Sequence, residues 1–234
     1  MTSIHIDSIG LVHSCFTEKF GIPRQPGLVS SSMAQIELIS PYNRKELVAG
    51  IEEFSHIWVH FLFHGAMEQG WRESVRPPGL GGKKRIGIFA TRSPHRPNHM
   101  GISVVRLHGV RSKNGKLFLD VSGIDLLDGT PILDIKPYVT YSDSLPNAQS
   151  SYAGTFTCVK VELSENVELF CKKYEEKTQR DLKTLIVEVL SQDPRPASQR
   201  GKRDMFGVLL WDINVRFQVL GTEEECTFYV IGCE

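Results

Sequence analysis

The first half of the chain consists of short segments in which every second residue is apolar, and this pattern restricts the fold more than any other feature. A period of two places alternate side chains on opposite faces of a β-strand, so each segment predicts a strand with one face toward a core. About six or seven such strands at short spacing predict a mainly β fold, a small and closed or nearly closed antiparallel β-barrel. The segments are marked by Ile4 and Ile6, Ile9 and Leu11, Ile36 and Leu38, Ile57, Val59, Phe61 and Phe63, Ile86, Ile88 and Ala90, Val105 and Leu107, and Leu117, Leu119 and Val121.

One segment of the first half breaks this pattern and predicts a helix. Asn43 is placed to cap its N-terminus, and Glu46 follows three residues later, which is the spacing of a capping box. Leu47, Ile51 and Phe54 then recur at helical intervals and share one face. The sequence therefore predicts a helix between residues 43 and 54.

The character of the sequence changes after a polar, turn-rich stretch from Ser142 to Thr155. This stretch predicts a domain boundary, with a β-barrel domain over residues 1–145 and a smaller α+β domain over residues 155–234. The second domain is predicted to hold one strand, two amphipathic helices and two closing strands. The patterns are carried by Val159, Val161 and Leu163, then Val167, Phe170, Cys171 and Tyr174, then Leu182, Leu185, Ile186, Val189 and Leu190, and finally Trp211, Ile213, Val215, Phe217 and Val219.

The distribution of charge points to an anionic partner. The formal net charge of the chain is zero, so the sequence offers no global attraction for a polyanion. Positive charge is instead concentrated in residues 72–96, which contain seven basic residues and one acidic residue. A patch of this kind can bind phosphate groups locally, and it favours a large anionic partner.

The sequence also predicts where the protein is found. The N-terminus does not resemble a secretion signal, and no apolar run approaches the roughly 18 residues that a membrane helix requires. The five cysteines include no C-x-x-C pair, which argues against a disulfide framework and against a zinc ribbon. These features predict a cytoplasmic chain with reduced thiols and no membrane contact.

A histidine repeat and a glycine-rich stretch resemble a metal site and a nucleotide-binding loop, but the residues around each argue against these sites. His56, His60 and His64 recur every four residues, which on a helix would allow one zinc ion to bind them. Their neighbours predict a strand, on which successive histidines stand about 13 Å apart, so we predict no metal site. The glycine-rich stretch from Gly79 to Lys84 follows two prolines and lacks the Ser or Thr of a P-loop, so it predicts a flexible basic loop and no dinucleotide fold.

A row of three polar residues near the end of the first domain has two interpretations. Asp134, Lys136 and Tyr138 alternate with apolar residues, which places all three on one side of a strand. Such a row is equally compatible with a solvated strand face and with a binding or catalytic site. The preceding Asp128 and Gly129 are explained by a turn alone.

Five motifs give the chain a family resemblance that extends from end to end. They read PRQPGL at residues 23–28, GIFATRSPHRPN at 87–98, DLLDGTPILDIKPY at 125–138, QDPRPA at 192–197 and DINVRF at 212–217. On these motifs the chain resembles the TsaA-like, TrmO family of bacterial tRNA threonylcarbamoyladenosine methyltransferases. The resemblance implies a small β-barrel that binds S-adenosylmethionine at the interface of a homodimer. It also implies an activity that methylates N6 of threonylcarbamoyladenosine next to the anticodon of tRNA.

The resemblance implies specific site residues. Cofactor contacts are expected at Gln25, Pro26, Gly27, His64, Arg92, Asp125, Leu126, Leu127, Asp128 and Gly129. The acceptor nitrogen resembles a urea nitrogen and is a poor nucleophile, so a nearby base is expected, and the catalytic candidates are Asp134, Lys136 and Tyr138. The threonyl carboxylate would suit a cation such as Arg96, Lys136 or Arg195. The anticodon stem-loop is expected to contact Arg72, Arg76, Lys83, Lys84, Arg85, Arg96 and Arg195.

The chain departs from the family pattern in two places. His99 and Met100 stand where the family usually has proline and isoleucine, and the loss of proline predicts a looser loop. Ser198 stands where a tyrosine is common. Two other functions are compatible with the sequence, namely a non-catalytic RNA-binding barrel and a methyltransferase that acts on a small molecule, and fold alone does not decide between them.

Overall fold

The computed structural model describes residues 3–77, 84–150, 158–196, 199–222 and 225–234 of the chain. Its N-terminal part is mainly β, as the alternating pattern predicts. The elements of this part are β1 (Gly10–His13), β2 (Met33–Leu38), β3 (His56–Leu62), β4 (Ser74–Val75), β5 (Ile86–Gly87), β6 (Met100–Lys113), β7 (Lys116–Ser122), β8 (Pro131–Pro137) and the short helix α1 (Thr140–Asp143).

Six of these strands form one closed sheet. Their order is β1, β2, β7, β6, β3 and β8, with β8 paired back to β1, and every pair is antiparallel. The predicted alternation is complete on β3, where Ile57, Val59 and Phe61 are buried in the core and the residues between them are half-buried. The predicted antiparallel barrel corresponds to this closed sheet.

The helix predicted between residues 43 and 54 is not formed. The chain instead makes two separate 3-10 turns, Lys45–Val48 and Ile51–Glu53, and neither begins with a side-chain cap. Gly50 between them adopts a left-handed conformation with a φ of 81°, which interrupts the helical path. Helices of this length depend on packing for their stability, and the apolar stripe is poorly packed, since Leu47 is 62% exposed.

Two of the strand predictions are also wrong. Ile4 and Ile6 form no strand, and both side chains are exposed. β5 ends at Gly87, after which Ile88–Ala90 form a 3-10 turn. Alternation alone does not make a strand, because the strand also needs a neighbour for its backbone hydrogen bonds.

The C-terminal part packs two helices against a four-stranded sheet. The sheet order is β10, β11, β12 and β9, and the pair β12 and β9 is parallel, whereas the other two pairs are antiparallel. The elements are β9 (Lys160–Leu163), α2 (Glu165–Thr178), α3 (Leu182–Ser191), β10 (Met205–Leu210), β11 (Ile213–Gly221) and β12 (Cys226–Cys233). Both predicted helices are confirmed, and the residues they bury are Val167, Cys171, Tyr174, Leu182, Leu185, Ile186, Val189 and Leu190.

The end of the chain differs from its prediction in two respects. Three strands follow α3, where the sequence predicts two. Trp211, predicted to begin a strand, lies in the turn between β10 and β11 with a φ of 54°. The rest of that predicted strand is confirmed, since Ile213, Val215 and Phe217 are buried on β11.

The two parts share one continuous hydrophobic core, and the loop after β1 joins them. The backbone N–H of Trp211 donates to the carbonyl of Cys15 at 2.8 Å, and the N–H of Leu209 donates to the Glu18 carboxylate at 3.0 Å. Near the other end of this loop, the carboxylate of Glu188 on α3 accepts hydrogen bonds from the N–H and the hydroxyl of Ser31. The C-terminal part therefore holds this loop at several points, and the motif PRQPGL lies within it.

Candidate functional site

Three loops bring Gln25, Arg92 and Asp125 together at one place. The Arg92 guanidinium donates to Oε1 of Gln25 at 2.5 Å, and its positive charge acts on the carboxylate of Asp125. Asp125 accepts a hydrogen bond of 2.6 Å from the hydroxyl of Ser103, which is buried on the inner side of β6. The result is a half-buried carboxylate on which the Arg92 guanidinium acts, an arrangement typical of a site for a polar ligand.

The environment of Asp125 changes its acidity. Burial raises the pKa of its carboxyl to about 6, although the hydrogen bond from Ser103 and the charge of Arg92 both act to lower it. An ionised Asp125 therefore reduces the stability of the folded protein at neutral pH. A cationic ligand would relieve that penalty.

Two glycines let the loop of Gln25 approach the loop of Asp125. The N–H of Gly27 donates to the carbonyl of Gly123 at 2.8 Å, and both residues have positive φ angles, 77° and 74°. A Cβ atom on Gly123 would lie 3.3 Å from the Cα of Gly27, so the two backbones are close to contact. A Cβ on Gly27 would meet nothing within 4 Å, which leaves open space for a ligand beside the backbone.

The other residues expected to bind the cofactor have clearer structural roles. Asp128 accepts a hydrogen bond from the N–H of Ser14 at 2.9 Å, and Gly129 turns the chain with a φ of 75°. Leu126 is buried in the core. The turn at residues 126–129 thus shapes the loop, and Asp125, which precedes it, carries the carboxylate on which the charge of Arg92 acts. Leu127 is half-buried within this turn, and Pro26 lies half-buried between Gln25 and Gly27.

His64 lies two residues beyond the end of β3 and opens a 3-10 turn. The preceding residue, Phe63, donates its N–H to the carbonyl of His99 at 2.7 Å, which fixes His64 beside the loop that contains Arg92. The His64 ring is half-buried and has no hydrogen-bond partner among the described residues.

Internal hydrogen bonds hold the Arg92 loop. Arg96 donates to the carbonyl of Thr91 at 3.0 Å, and the ring of His99 donates to the carbonyl of Pro94 at 2.9 Å. His99 also has a φ of 50°, which proline cannot adopt because its ring fixes φ near −65°. In place of the looser loop predicted from the loss of proline, the structure shows a loop closed by hydrogen bonds.

The catalytic candidates Asp134, Lys136 and Tyr138 lie on the outer side of the closed sheet. Asp134 and Lys136 form an ion pair on one face of β8, and the Tyr138 ring stands 5.8 Å from that of Trp58. Asp134 is opposite His60 on β3, whose side chain alternates with the buried residues and so points outward. Ser103, the hydrogen-bond partner of Asp125, lies on the inner side, so the catalytic candidates and Ser103 are on opposite faces of the sheet.

The basic segment surrounds the small sheet of β4 and β5. Arg72, Arg76, Lys84 and Arg85 are exposed, whereas Arg96 is half-buried. Arg85 donates to the Ser74 hydroxyl at 2.9 Å, and the backbone of Arg72 donates to the carbonyl of His95 at 3.0 Å. Lys83, together with most of the glycine-rich stretch, and Ser198 lie outside the described residues.

Arg195, which the sequence predicts as an RNA contact, does not belong to this exposed group. Its side chain is almost fully buried, and its guanidinium donates to both carboxylate oxygens of Asp193, at 2.7 and 3.0 Å. The guanidinium also lies 4.7 Å from the ring centre of Phe228. These contacts give Arg195 a structural role inside the C-terminal part.

One contributor to the site was missed from the sequence. Ser103 belongs to no motif, yet its buried hydroxyl donates a hydrogen bond to the carboxylate of Asp125. The available signal was a hydroxyl at an inward position of an otherwise apolar strand, Ile102 to Val105, because a buried hydroxyl needs a partner.

The three histidines of HIWVHFLFH separate as the strand prediction requires. His56 and His60 lie on β3, and His64 lies beyond its end. Among the described residues no group of three or more His, Cys, Asp or Glu side chains is arranged to hold a metal ion. The described part of the chain also contains no helix long and apolar enough to cross a membrane.

The raised pKa of Asp125 leads to a prediction about stability. The unfolded carboxyl loses its proton near pH 4 and the folded one near pH 6, so stability falls as the pH rises through this window and stays lower above it. Asp125→Asn should therefore stabilise the protein by about 3 kcal/mol at about pH 7.5, and by about 1 kcal/mol at about pH 4.5. Urea unfolding at the two pH values measures both differences.

Asp143→Asn is the matched control for this experiment. Hydrogen bonds from the N–H of Val139 and from the Trp58 ring lower the pKa of Asp143, so its replacement should destabilise the protein at neutral pH. A gain for Asp125→Asn that is equal at both pH values would contradict the assignment of a buried, ionised carboxylate.

The fold and the site together define a class of protein. It is a ligand-binding protein with a closed antiparallel sheet, in which a half-buried carboxylate and an arginine that acts on its charge lie on converging loops, outside the doubly wound nucleotide-binding folds. Residues 11–144 match the family profile described as the tRNA-methyltransferase O N-terminal domain, and residues 157–233 match the TrmO C-terminal domain. The chain belongs to the TrmO family.

Similar proteins agree with this assignment. The chain is 45% identical over 222 residues to the tRNA (adenine(37)-N6)-methyltransferase of Escherichia coli K12, with 94% of each chain covered. It is 46% identical over 216 residues to a putative S-adenosylmethionine-dependent methyltransferase of Pseudomonas aeruginosa, with 91% of each covered. A crystal structure of TrmO from the same organism superimposes with a TM-score of 0.81 at 38% identity, over 100% of this chain and 98% of that one.

Proposed function

We propose that this protein is an S-adenosylmethionine-dependent methyltransferase that methylates N6 of threonylcarbamoyladenosine next to the anticodon of tRNA. Its relatives are named as tRNA adenine N6-methyltransferases and as S-adenosylmethionine-dependent methyltransferases. The observation that carries the proposal is the half-buried carboxylate of Asp125, which accepts a hydrogen bond from Ser103 and is acted on by the charge of Arg92.

The residues of this site fit a ligand that carries both a cation and a carboxylate. Asp125 can stabilise positive charge, and Arg92, tethered by Gln25, can bind a carboxylate. The open side of Gly27 allows a ligand to lie against the backbone, and the half-buried His64 adjoins the same loops. When bound, S-adenosylmethionine supplies an electrophilic methyl group, so the protein provides binding, orientation and exclusion of water instead of a nucleophile.

The acceptor nitrogen needs a partner for its proton, and Asp134, Lys136 and Tyr138 are proposed for this step. The ion pair with Lys136 orients the Asp134 carboxylate, which can accept a proton from N6. These residues face outward, so a second chain would have to bring them to a cofactor site. This requirement supports a homodimer in which each site uses residues of both chains.

The RNA is proposed to bind across the exposed basic residues of the segment 72–96. Arg72, Arg76, Lys84 and Arg85 are free of carboxylate partners among the described residues, so they can contact phosphates, and Lys83 and Arg96 belong to the same segment. Residues 155–234 would form the smaller α+β domain that assists tRNA recognition, and the cytoplasm, where tRNA is modified, is the proposed location.

Mass spectrometry of tRNA nucleosides tests this function. Cells that lack the protein should lack methylated threonylcarbamoyladenosine and accumulate the unmethylated form, and the purified protein with S-adenosylmethionine should restore the methyl group. Unchanged nucleosides, combined with RNA binding, would favour a non-catalytic RNA-binding protein. Cofactor binding without any effect on RNA would favour a small-molecule acceptor.

A further inference from the structure

The basic segment contains two large aromatic side chains that the core does not use. Phe89 is 78% exposed and Trp71 is 58% exposed. Neither ring packs against another aromatic ring among the described residues. Both instead line one apolar pocket of about 310 Å³.

The backbone holds this pocket in shape. β4 and β5 pair with Ser74 opposite Gly87, and the N–H of Ile88 donates to the carbonyl of Glu73 at 2.9 Å. This pairing fixes the segment of Trp71 beside the segment of Phe89. Ile88 is buried and also lines the pocket. The rings are thus exposed on an ordered framework.

The surroundings of the pocket are basic although its lining is apolar. Arg72, Arg85, Arg92 and Arg96 each lie within two residues of a lining residue along the chain. The one charged residue that lines the pocket is Glu73, whose carboxylate can accept hydrogen bonds from the N–H groups of a ligand. An apolar slot with aromatic walls, acceptor capacity and a basic rim matches a nucleobase with its flanking phosphates.

We propose that this pocket binds one unpaired nucleobase of the RNA substrate, stacked on Trp71 and Phe89. The inference rests on the proposed function for the presence of RNA. The volume of the pocket lies at the lower end of the range for ligand pockets, roughly 300 to 1,000 Å³. A pocket of this size suits a single base better than a larger group. The lining residue Ala90 is two residues from Arg92, so the stacked base lies close to the proposed cofactor site.

Ring deletion tests the stacking role. Trp71→Ala and Phe89→Ala should each weaken binding of an anticodon stem-loop about tenfold, because each removes a stacking surface. Trp71→Phe and Phe89→Tyr keep a ring and should bind within about threefold of the unchanged protein. Tyr141→Ala removes a ring that is 93% exposed and does not line the pocket, so it should leave binding unchanged. Affinity for S-adenosylmethionine should be the same in every variant.

A second measurement follows Trp71 directly. A single-stranded oligoribonucleotide should quench tryptophan fluorescence in the unchanged protein, and Trp71→Phe, which keeps Trp58 and Trp211, should lose most of this quenching. Thermal unfolding and light scattering of each variant check the fold and the oligomeric state. Both rings are exposed, so their truncation should alter neither.

The outcomes separate this inference from the proposed function. If the unchanged protein methylates tRNA and the alanine variants bind RNA equally well, the stacking pocket is wrong and the function stands. A variant that changes the oligomeric state instead would identify the pocket as a contact between copies of the chain, which also overturns the inference. If the unchanged protein binds no RNA, both proposals fail.

Discussion

An anticodon stem-loop that carries threonylcarbamoyl on the adenosine 3′ of the anticodon is expected to accept methyl at least about 100-fold faster than the same transcript without it. A site built around the threonyl carboxylate leaves a desolvated cation unpaired when that group is absent, and the penalty appears in the rate. Radiolabelled methyl incorporation into matched transcripts measures the ratio.

Variants of Arg96 and Lys136 identify which of the two binds the threonyl carboxylate. Arg96 is half-buried and already positioned by the Thr91 carbonyl, whereas Lys136 is exposed and paired with Asp134. Arg195 is buried with Asp193, so it is not a candidate. If Arg96 binds the carboxylate, Arg96→Ala should lower the ratio of the two methylation rates, modified over unmodified transcript, without weakening the binding of both transcripts equally. Equal labelling of modified and unmodified transcripts would contradict the proposed substrate.

Arg92→Ala is expected to weaken binding of S-adenosylmethionine by about 1.5 to 3 kcal/mol, or about 10- to 150-fold, which is the usual cost of losing a hydrogen bond to a charged group. The substitution also removes the positive charge that acts on Asp125 and the partner of Gln25. Isothermal titration calorimetry measures the difference.

Two control variants accompany this measurement. Arg92→Lys keeps the charge without the planar guanidinium and should bind with intermediate affinity. Arg111→Ala removes an arginine that pairs with Asp120, about 26 Å from Ser103 along β6, and should leave cofactor binding unchanged. An affinity that does not change in Arg92→Ala would remove Arg92 from the site.

Stretches of the chain whose pattern matches a whole packed element were predicted correctly. β3 alternates as its sequence does, and α3 buries the five residues that recur on one side of its helix. The segment 43–54 shows the limit of this reasoning, because its capping box and apolar stripe were present but Gly50 interrupts the path. A periodic pattern predicts which face of an element can be buried. Burial also requires another element of the fold to pack against that face.

Some residues of the candidate site were also predicted from the sequence, and one was not. The motifs PRQPGL, GIFATRSPHRPN and DLLDG pointed to Gln25, Arg92 and Asp125, and closure of the sheet brings these three together from positions up to 100 residues apart. Ser103 was missed, because its role depends on a partner 22 residues away.

By itself, the sequence determined the mainly β character of the first half, the two C-terminal helices and the family, because periodicity and motifs are properties of neighbouring residues. Only the tertiary structure decided the environment of each polar group. It buried Arg195 against Asp193, and it raised the pKa of Asp125 by partly enclosing the carboxyl. It also placed Asp134 on the outer face of the closed sheet, opposite to the inner face that holds Ser103. Burial and charge proximity depend on which strands close on one another, and no local pattern encodes those distances.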